Sequence, residues 1–252
     1  MKILLSPAKT LDYGTYETTI KCTKPVLLKE TISLYGELKK LSASDISKLM
    51  SISPKLTSNV ISYIKDFDPT FKKQNSKPAI LAFKGDVYKG FDWSKYTKKD
   101  FENLNSKVRI LSGFYGLLKP FDLMQPYRLE MGTDLKNKKG KNLYEFWGDL
   151  ISDQLNKECK NDKYIINLAS DEYFNVINPR RLKPNIIKIT FKEKKGNIYK
   201  VIGILSKKAR GLMTDYIIRN KIEKIEDLKK FNIAKYKFNP KMSSADEFVF
   251  IR

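Results

Sequence analysis

Apolar residues gather in short runs at Lys2–Leu5, Ala79–Phe83, Val108–Leu111, Tyr164–Leu168, Ile186–Phe191, Tyr199–Leu205 and Glu247–Ile251. Runs of this length, bounded by polar and turn residues, predict β-strands. Ile186–Phe191 and Tyr199–Leu205 flank Lys194-Lys195-Gly196-Asn197, which predicts an antiparallel hairpin closed by a Gly-Asn turn. Elsewhere the apolar period lengthens to that of a helix. Ser42 and Asp45 form a capping box ahead of Ile46, Leu49 and Met50. Ser53-Pro54 sets an N-cap before a first-turn proline, and Leu56, Val60, Ile64 and Phe67 follow on one face. Thr97 and Asp100 form a second capping box. Asn142 to Glu158, with Leu143, Phe146, Trp147, Leu150, Ile151 and Leu155, predicts one amphipathic helix, and a last helix is expected from Ser206 to Asn220. No repeat, low-complexity stretch or linker breaks the pattern. Strands and helices mix without regular alternation. The expected fold is one α+β domain over residues 1–252: a mixed β-sheet flanked by helices, with a helix-hairpin-helix-like element at 42–67.

Composition alters this picture mainly by exclusion. The chain of 252 residues contains no histidine, so a Ser-His-Asp triad, a Cys-His pair and imidazole metal ligands are ruled out. Two cysteines, Cys22 and Cys159, are too few for a zinc ribbon and fit a reducing compartment. No run approaches the roughly 20 apolar residues of a membrane span. Pro7 breaks the short N-terminal apolar run well before it reaches the length of a secretory segment. A cytoplasmic protein without membrane, metal or cofactor is expected. The net charge of +21 points to a polyanion as partner. An AT-rich genome, which favours lysine, asparagine and isoleucine, is an alternative source of the excess. Most of it falls in residues 71–210, without a basic tail or a long lysine block, which suits a folded cleft better than a disordered arm.

Four segments carry candidate chemistry. In Ser42–Phe67, two helices joined by Ser51-Ile52-Ser53 have the layout of a helix-hairpin-helix, where backbone N–H groups and the helix dipole hold a DNA phosphate. Lys48 and Lys55 would flank it, though the usual glycines are missing and an ordinary packed αα-hairpin reads the same way. In Leu111–Pro120, Gly113 and Gly116 permit close approach to a ligand or simply a tight turn. Just beyond, Tyr127, Arg128 and Glu130 bring an aromatic ring, a scarce arginine and a carboxylate together, for anion contact or for an internal ion pair. The strand before Leu168 delivers Ser170, Asp171, Glu172 and Tyr173 at its end, where α/β sites tend to be built. Glu145 and Asp149 share a helix face and would divide acid and base roles if burial separated them; a solvated face is the alternative. Finally, Lys207, Lys208 and Arg210 fall in the first turn of the expected last helix, against its dipole, so an anion would relieve them; Lys9, just after the first strand, would join.

These segments together resemble the YaaA family of bacterial peroxide-stress proteins. The matching stretches are Leu5–Asp12 (LSPAKTLD), Ala82–Tyr88 (AFKGDVY), Leu111–Gly116 (LSGFYG), Asp122–Gly132 (DLMQPYRLEMG), Phe146–Asp149 (FWGD), Ile166–Phe174 (INLASDEYF) and Lys208–Met213 (KARGLM). They span nearly the whole chain in order. The resemblance implies a cytoplasmic protein of the hydrogen peroxide response, linked to limiting free iron and oxidative DNA damage. It also implies DNA binding, with a helix-hairpin-helix and a basic cleft in an α/β fold.

Two functions compete. A binder of double-stranded or structured DNA would use Lys48, Lys55, Lys84, Lys119 and Lys207 on phosphates, with little base readout. An enzyme acting on a nucleotide or damaged nucleic acid, by glycosidic-bond or nucleotide cleavage, would use Glu130, Asp171 and Glu172 as acid-base groups. Lys9, Arg128, Ser170, Tyr173, Lys208 and Arg210 would form its anion pocket. Direct iron binding is the poorer third possibility, since no Glu-x-x-His motif can exist here. Convergence of the polar residues in one concavity would favour the enzyme; a scattered lysine band would favour the binder.

Overall fold

The computed structural model describes residues 1–72 and 74–252. In chain order the elements are β1 (Lys2–Leu5), α1 (Leu28–Leu38), α2 (Ala43–Met50), α3 (Pro54–Asp66), β2 (Lys77–Pro78), α4 (Ala79–Ala82) and a 3-10 turn at Tyr88–Gly90. Next come α5 (Lys98–Lys107), β3 (Val108–Ser112), β4 (Gly116–Leu118), β5 (Leu123–Met124), α6 (Leu143–Trp147) and α7 (Leu150–Glu158). The last part holds β6 (Tyr164–Asn167), α8 (Asp171–Phe174), β7 (Asn185–Lys195), β8 (Ile198–Lys200), α9 (Gly203–Arg219), α10 (Ile225–Leu228), β9 (Lys237–Phe238) and β10 (Glu247–Ile251).

One eight-stranded sheet organises these elements in the order β4-β3-β1-β6-β7-β10-β9, with β8 paired to β7. Its five inner strands, β3, β1, β6, β7 and β10, are all parallel; β4, β8 and β9 are antiparallel additions. Mixed pairing flanked by helices matches the expectation. The α+β assignment does not hold: the centre is an α/β sheet. Parallel strands covered on both faces need continuous apolar runs, and every residue of β3 is buried, as are Ile3–Leu5 in β1 and Ile165–Asn167 in β6. One connected core joins this sheet to the helices, with Trp147, Tyr115, Phe146 and Phe191 among its largest side chains.

Local chemistry explains most element ends. Both capping boxes form, Ser42 with Asp45 and Thr97 with Asp100. Ser53 caps α3 ahead of Pro54. The β7–β8 hairpin turns through Gly196 at φ +61°. Four expectations need correction. Ala79–Phe83 is the short helix α4 and its exit, because the chain pairs at Lys77–Pro78 instead. The helix expected over Asn142–Glu158 is split by Gly148, whose φ of +46° no helix accommodates. Glu145 and Asp149 consequently share no helix face: Glu145 accepts the Lys141 N–H, and Asp149 pairs with Arg181 at 3.3 Å. The strand expected at Tyr199–Leu205 ends at Lys200, and α9 starts three residues before Ser206. Among the described residues, no helix is long and apolar enough to cross a membrane.

Candidate functional site

Chain direction decides where a site forms in such a sheet. From β1 the chain moves toward β3, and from β6 it moves toward β7, so the loops leaving these adjacent strands diverge. A crevice opens at such a switch point, beyond the carboxyl ends of the strands. Here it is a cavity of about 250 Å³ between the loop after β1 and the loop after β6. The Ser6 hydroxyl joins the two loops: it accepts the Ser170 N–H at 2.8 Å and lies 3.2 Å from the Ser170 hydroxyl.

Close backbone packing places the other walls. A Cβ on Gly211 would lie 1.8 Å from the Val87 carbonyl oxygen, and one on Gly90 would lie 2.5 Å from the Leu212 nitrogen. Only two glycines let α9 touch the 3-10 turn so closely, and this contact brings Lys207 and Arg210 opposite Tyr88. Tyr88 is buried and donates to the Ser6 carbonyl at 3.0 Å. On the third side, Gly113 admits the Leu129 carbonyl, which a Cβ would meet at 2.4 Å, and so seats Tyr127–Glu130 against the sheet. The Tyr127 and Ser112 hydroxyls are hydrogen-bonded at 2.8 Å. Gly116 has φ +70° and lies against the Trp147 ring. Both glycines of this turn serve packing, and neither lines the cavity.

The electrostatics are uneven. Glu130 bridges Lys9 at 2.7 Å and Arg128 Nη2 at 3.0 Å, so these three charges are mutually paired. Glu172 accepts the Gly132 N–H at 3.2 Å. Arg210 has no carboxylate partner within ion-pair distance among the described residues. Its Nε and that of Arg128 are buried with no hydrogen-bond partner. Burial lowers the proton affinity of the Arg210 guanidinium, with Asp171 acting weakly the other way. Burial pushes the Tyr88, Tyr127 and Tyr173 hydroxyls well above their ordinary range, so at neutral pH they are donors and not bases.

Eight of the sequence-selected residues line this cavity: Lys9, Tyr127, Arg128, Glu130, Ser170, Glu172, Tyr173 and Arg210; Lys207, assigned to phosphate contact, lines it too. Two do not. Asp171 turns outward to Lys188 at 2.9 Å, and Lys208 faces solvent. The reason expected for the α9 cations also fails. With α9 starting at Gly203, Lys207, Lys208 and Arg210 lie beyond the first turn, where the dipole conflict has faded. Lys84 pairs with Asp12 at 3.2 Å in an adjoining groove. Lys119 follows β4 at the register of Arg109, toward the opposite end of the sheet. Lys48 and Lys55 sit on α2 and α3, which form an αα-hairpin. Sequence reasoning does not single out Ser6 or Tyr88. Only Ser6 carried a usable signal, its place directly after a strand.

Comparison with known proteins places this arrangement among relatives. A family model described as peroxide stress protein YaaA matches residues 1–242. A UPF0246 protein of Saccharophagus degradans is 48% identical over 254 residues, covering 100% of this chain and 99% of the relative. The chain belongs to the YaaA family of peroxide stress proteins.

Proposed function

We propose that the protein binds duplex or structured DNA in the hydrogen peroxide response, limiting intracellular free iron and oxidative DNA damage. One observation supports the DNA part best: the cationic cavity and the α2–α3 hairpin are neighbours. Leu49, Met50 and Ser51, at the end of α2, border a groove that shares Arg128, Glu130 and Glu172 with the cavity. A strand held at the start of the 13-residue α3, between Lys48 and Lys55, would lie a few residues along the chain from the Ser51 edge of that groove.

The second reading, an enzyme acting on a nucleotide or damaged nucleic acid, is favoured by Glu130 and Glu172 lining one concavity with two arginines. Non-specific binding needs positive charge, not carboxylates beside it. Fluorescence anisotropy with a fully paired duplex tests both. Affinity is expected to fall steeply as salt rises, since lysines release counterions; a flat profile rejects the DNA reading. In the Glu130→Gln, Glu172→Gln variant, duplex binding is expected to persist while protection of cells against peroxide is lost. Loss of both together points to one DNA surface and no separate reaction centre.

A further inference from the structure

We infer that the switch-point cavity is a seat for a single nucleoside phosphate, with the phosphate on Arg210 and the free edge of Arg128 and the nucleoside toward Tyr127 and Tyr173. The choice of ligand class rests on the nucleic-acid reading above. The Arg210 guanidinium makes no hydrogen bond to a described residue, and its Nε is sealed from water. The Nε of Arg128 is equally orphaned, because Glu130 engages only Nη2. An internal ion-pair network would satisfy these atoms, and Glu130 and Asp171 do not: Glu130 is committed to Lys9 and Arg128, and Asp171 to Lys188. Buried polar groups in folded proteins are rarely left unpartnered, and a buried charge least of all. The Arg210 guanidinium, which lines the cavity with no carboxylate partner among the described residues, calls for an anion supplied from outside, and Arg128 lines the same cavity beside it.

The rest of the cavity narrows the anion's identity. Its volume of about 250 Å³ falls below the roughly 300–1,000 Å³ of drug-sized sites, so it takes one small ligand and not a dinucleotide. Beyond the arginines the wall changes character. Tyr127 and Tyr173 offer ring surface, which stacks on any base. Glu172 and Glu130 are acceptors, which repel a second anion and suit the N–H or O–H donors of a base or sugar. A ligand anionic at one end, with a flat body and donors elsewhere, is a nucleoside phosphate. The switch point between parallel strands is also where open sheets take nucleotides. Two sources carry this chemistry, a free mononucleotide and a nucleotide turned out of a DNA strand held on the neighbouring hairpin.

The test uses the full-length protein in calorimetric titration and thermal melting. The probes are the four deoxynucleoside 5′-monophosphates, the corresponding nucleosides and inorganic phosphate. At least one monophosphate is expected to bind about tenfold or more tighter than its nucleoside and than inorganic phosphate. Arg210→Met is expected to erase that preference while raising the melting temperature of the ligand-free protein, since it removes an unpaired, half-buried charge but keeps the volume. Arg128→Met is the second variant and should weaken the same preference. A duplex with one extrahelical nucleotide binding tighter than the fully paired duplex, in competition with the monophosphate, assigns the nucleotide to a DNA strand. Equal affinity for the two duplexes assigns the seat to a free nucleotide. Absence of monophosphate binding, an unchanged preference in both variants, or inorganic phosphate binding as tightly as nucleotides overturns the proposal. Failure of the fully paired duplex to bind, with monophosphate binding intact, rejects the DNA reading and leaves the seat standing.

Discussion

Gly211 has no room for a methyl group. A Cβ there would sit 1.8 Å from the Val87 carbonyl oxygen, far inside contact distance, and the obstacle is backbone that cannot rotate away. Gly211→Ala therefore forces α9 off the 3-10 turn, and overpacking of this kind costs about 1–3 kcal/mol or more. Because Arg210 precedes Gly211 and Tyr88 follows Val87, the displacement falls on two walls of the cavity at once. Urea unfolding should show the destabilisation, and nucleotide or phosphate binding should weaken with it. Gly36→Ala is the control: a Cβ there meets nothing within 4 Å, and in α1 an alanine is favoured over glycine by up to about 1 kcal/mol. Equal stability of Gly211→Ala and the parent would show that the close approach carries no constraint.

Among elements, the α2–α3 hairpin is where sequence and function meet most directly. Its caps are local: Ser42 with Asp45, Ser53 with Pro54, and Ser51 in a left-handed turn at φ 50°. Lys48→Glu with Lys55→Glu reverses two charges that no described ion pair uses, so the melting temperature is expected to hold while duplex affinity falls. Unchanged affinity in this variant would return the hairpin to a packing role. Such locally determined features were readable in the sequence, as were β1, β3, β6 and β7, whose apolar runs reflect burial. Features set by tertiary contact were not. Ala79–Phe83 has the composition of a strand, but the two residues before it pair with β5 and the segment turns into α4. The break at Gly148 hides in a perfect helical period, because Asp149 and Leu150 resume it after one residue of positive φ. For the cavity, charge and strand-end position found Lys9, Arg128, Glu130, Ser170, Glu172, Tyr173 and Arg210. Tyr88 looks like a core aromatic until the fold turns it toward the cavity.

For the whole molecule, the missing histidine removes the side chain that normally titrates between pH 5 and 8, and burial pushes both thiols upward, Cys159 to about 11. Stability is expected to be level across pH 5–8. On the acid side, the Gly14 N–H and then Lys84 hold Asp12 down at about 2, and the Ser42 and Thr97 hydroxyls lower Asp45 and Asp100. Groups whose folded pKa lies below the unfolded one stabilise above the unfolded value, near 3.8, and lose that contribution as pH falls toward 2. Buried Asp122, raised by desolvation, works in the opposite sense. On the alkaline side the buried tyrosines are raised, so their contribution is complete below pH 10 and is lost above it. Melting temperatures across a pH series check this, and a slope between pH 5 and 8 would contradict it. The contact of Gly90 with Gly211 has one more consequence, for rates. Backbone touching backbone leaves no side chain to rearrange between the 3-10 turn and α9, the two segments that carry Tyr88 and Arg210. Entry of a ligand then waits on no hinge between these two walls, and little conformational entropy remains to be lost on binding. How long the ligand stays is set by how fast it leaves.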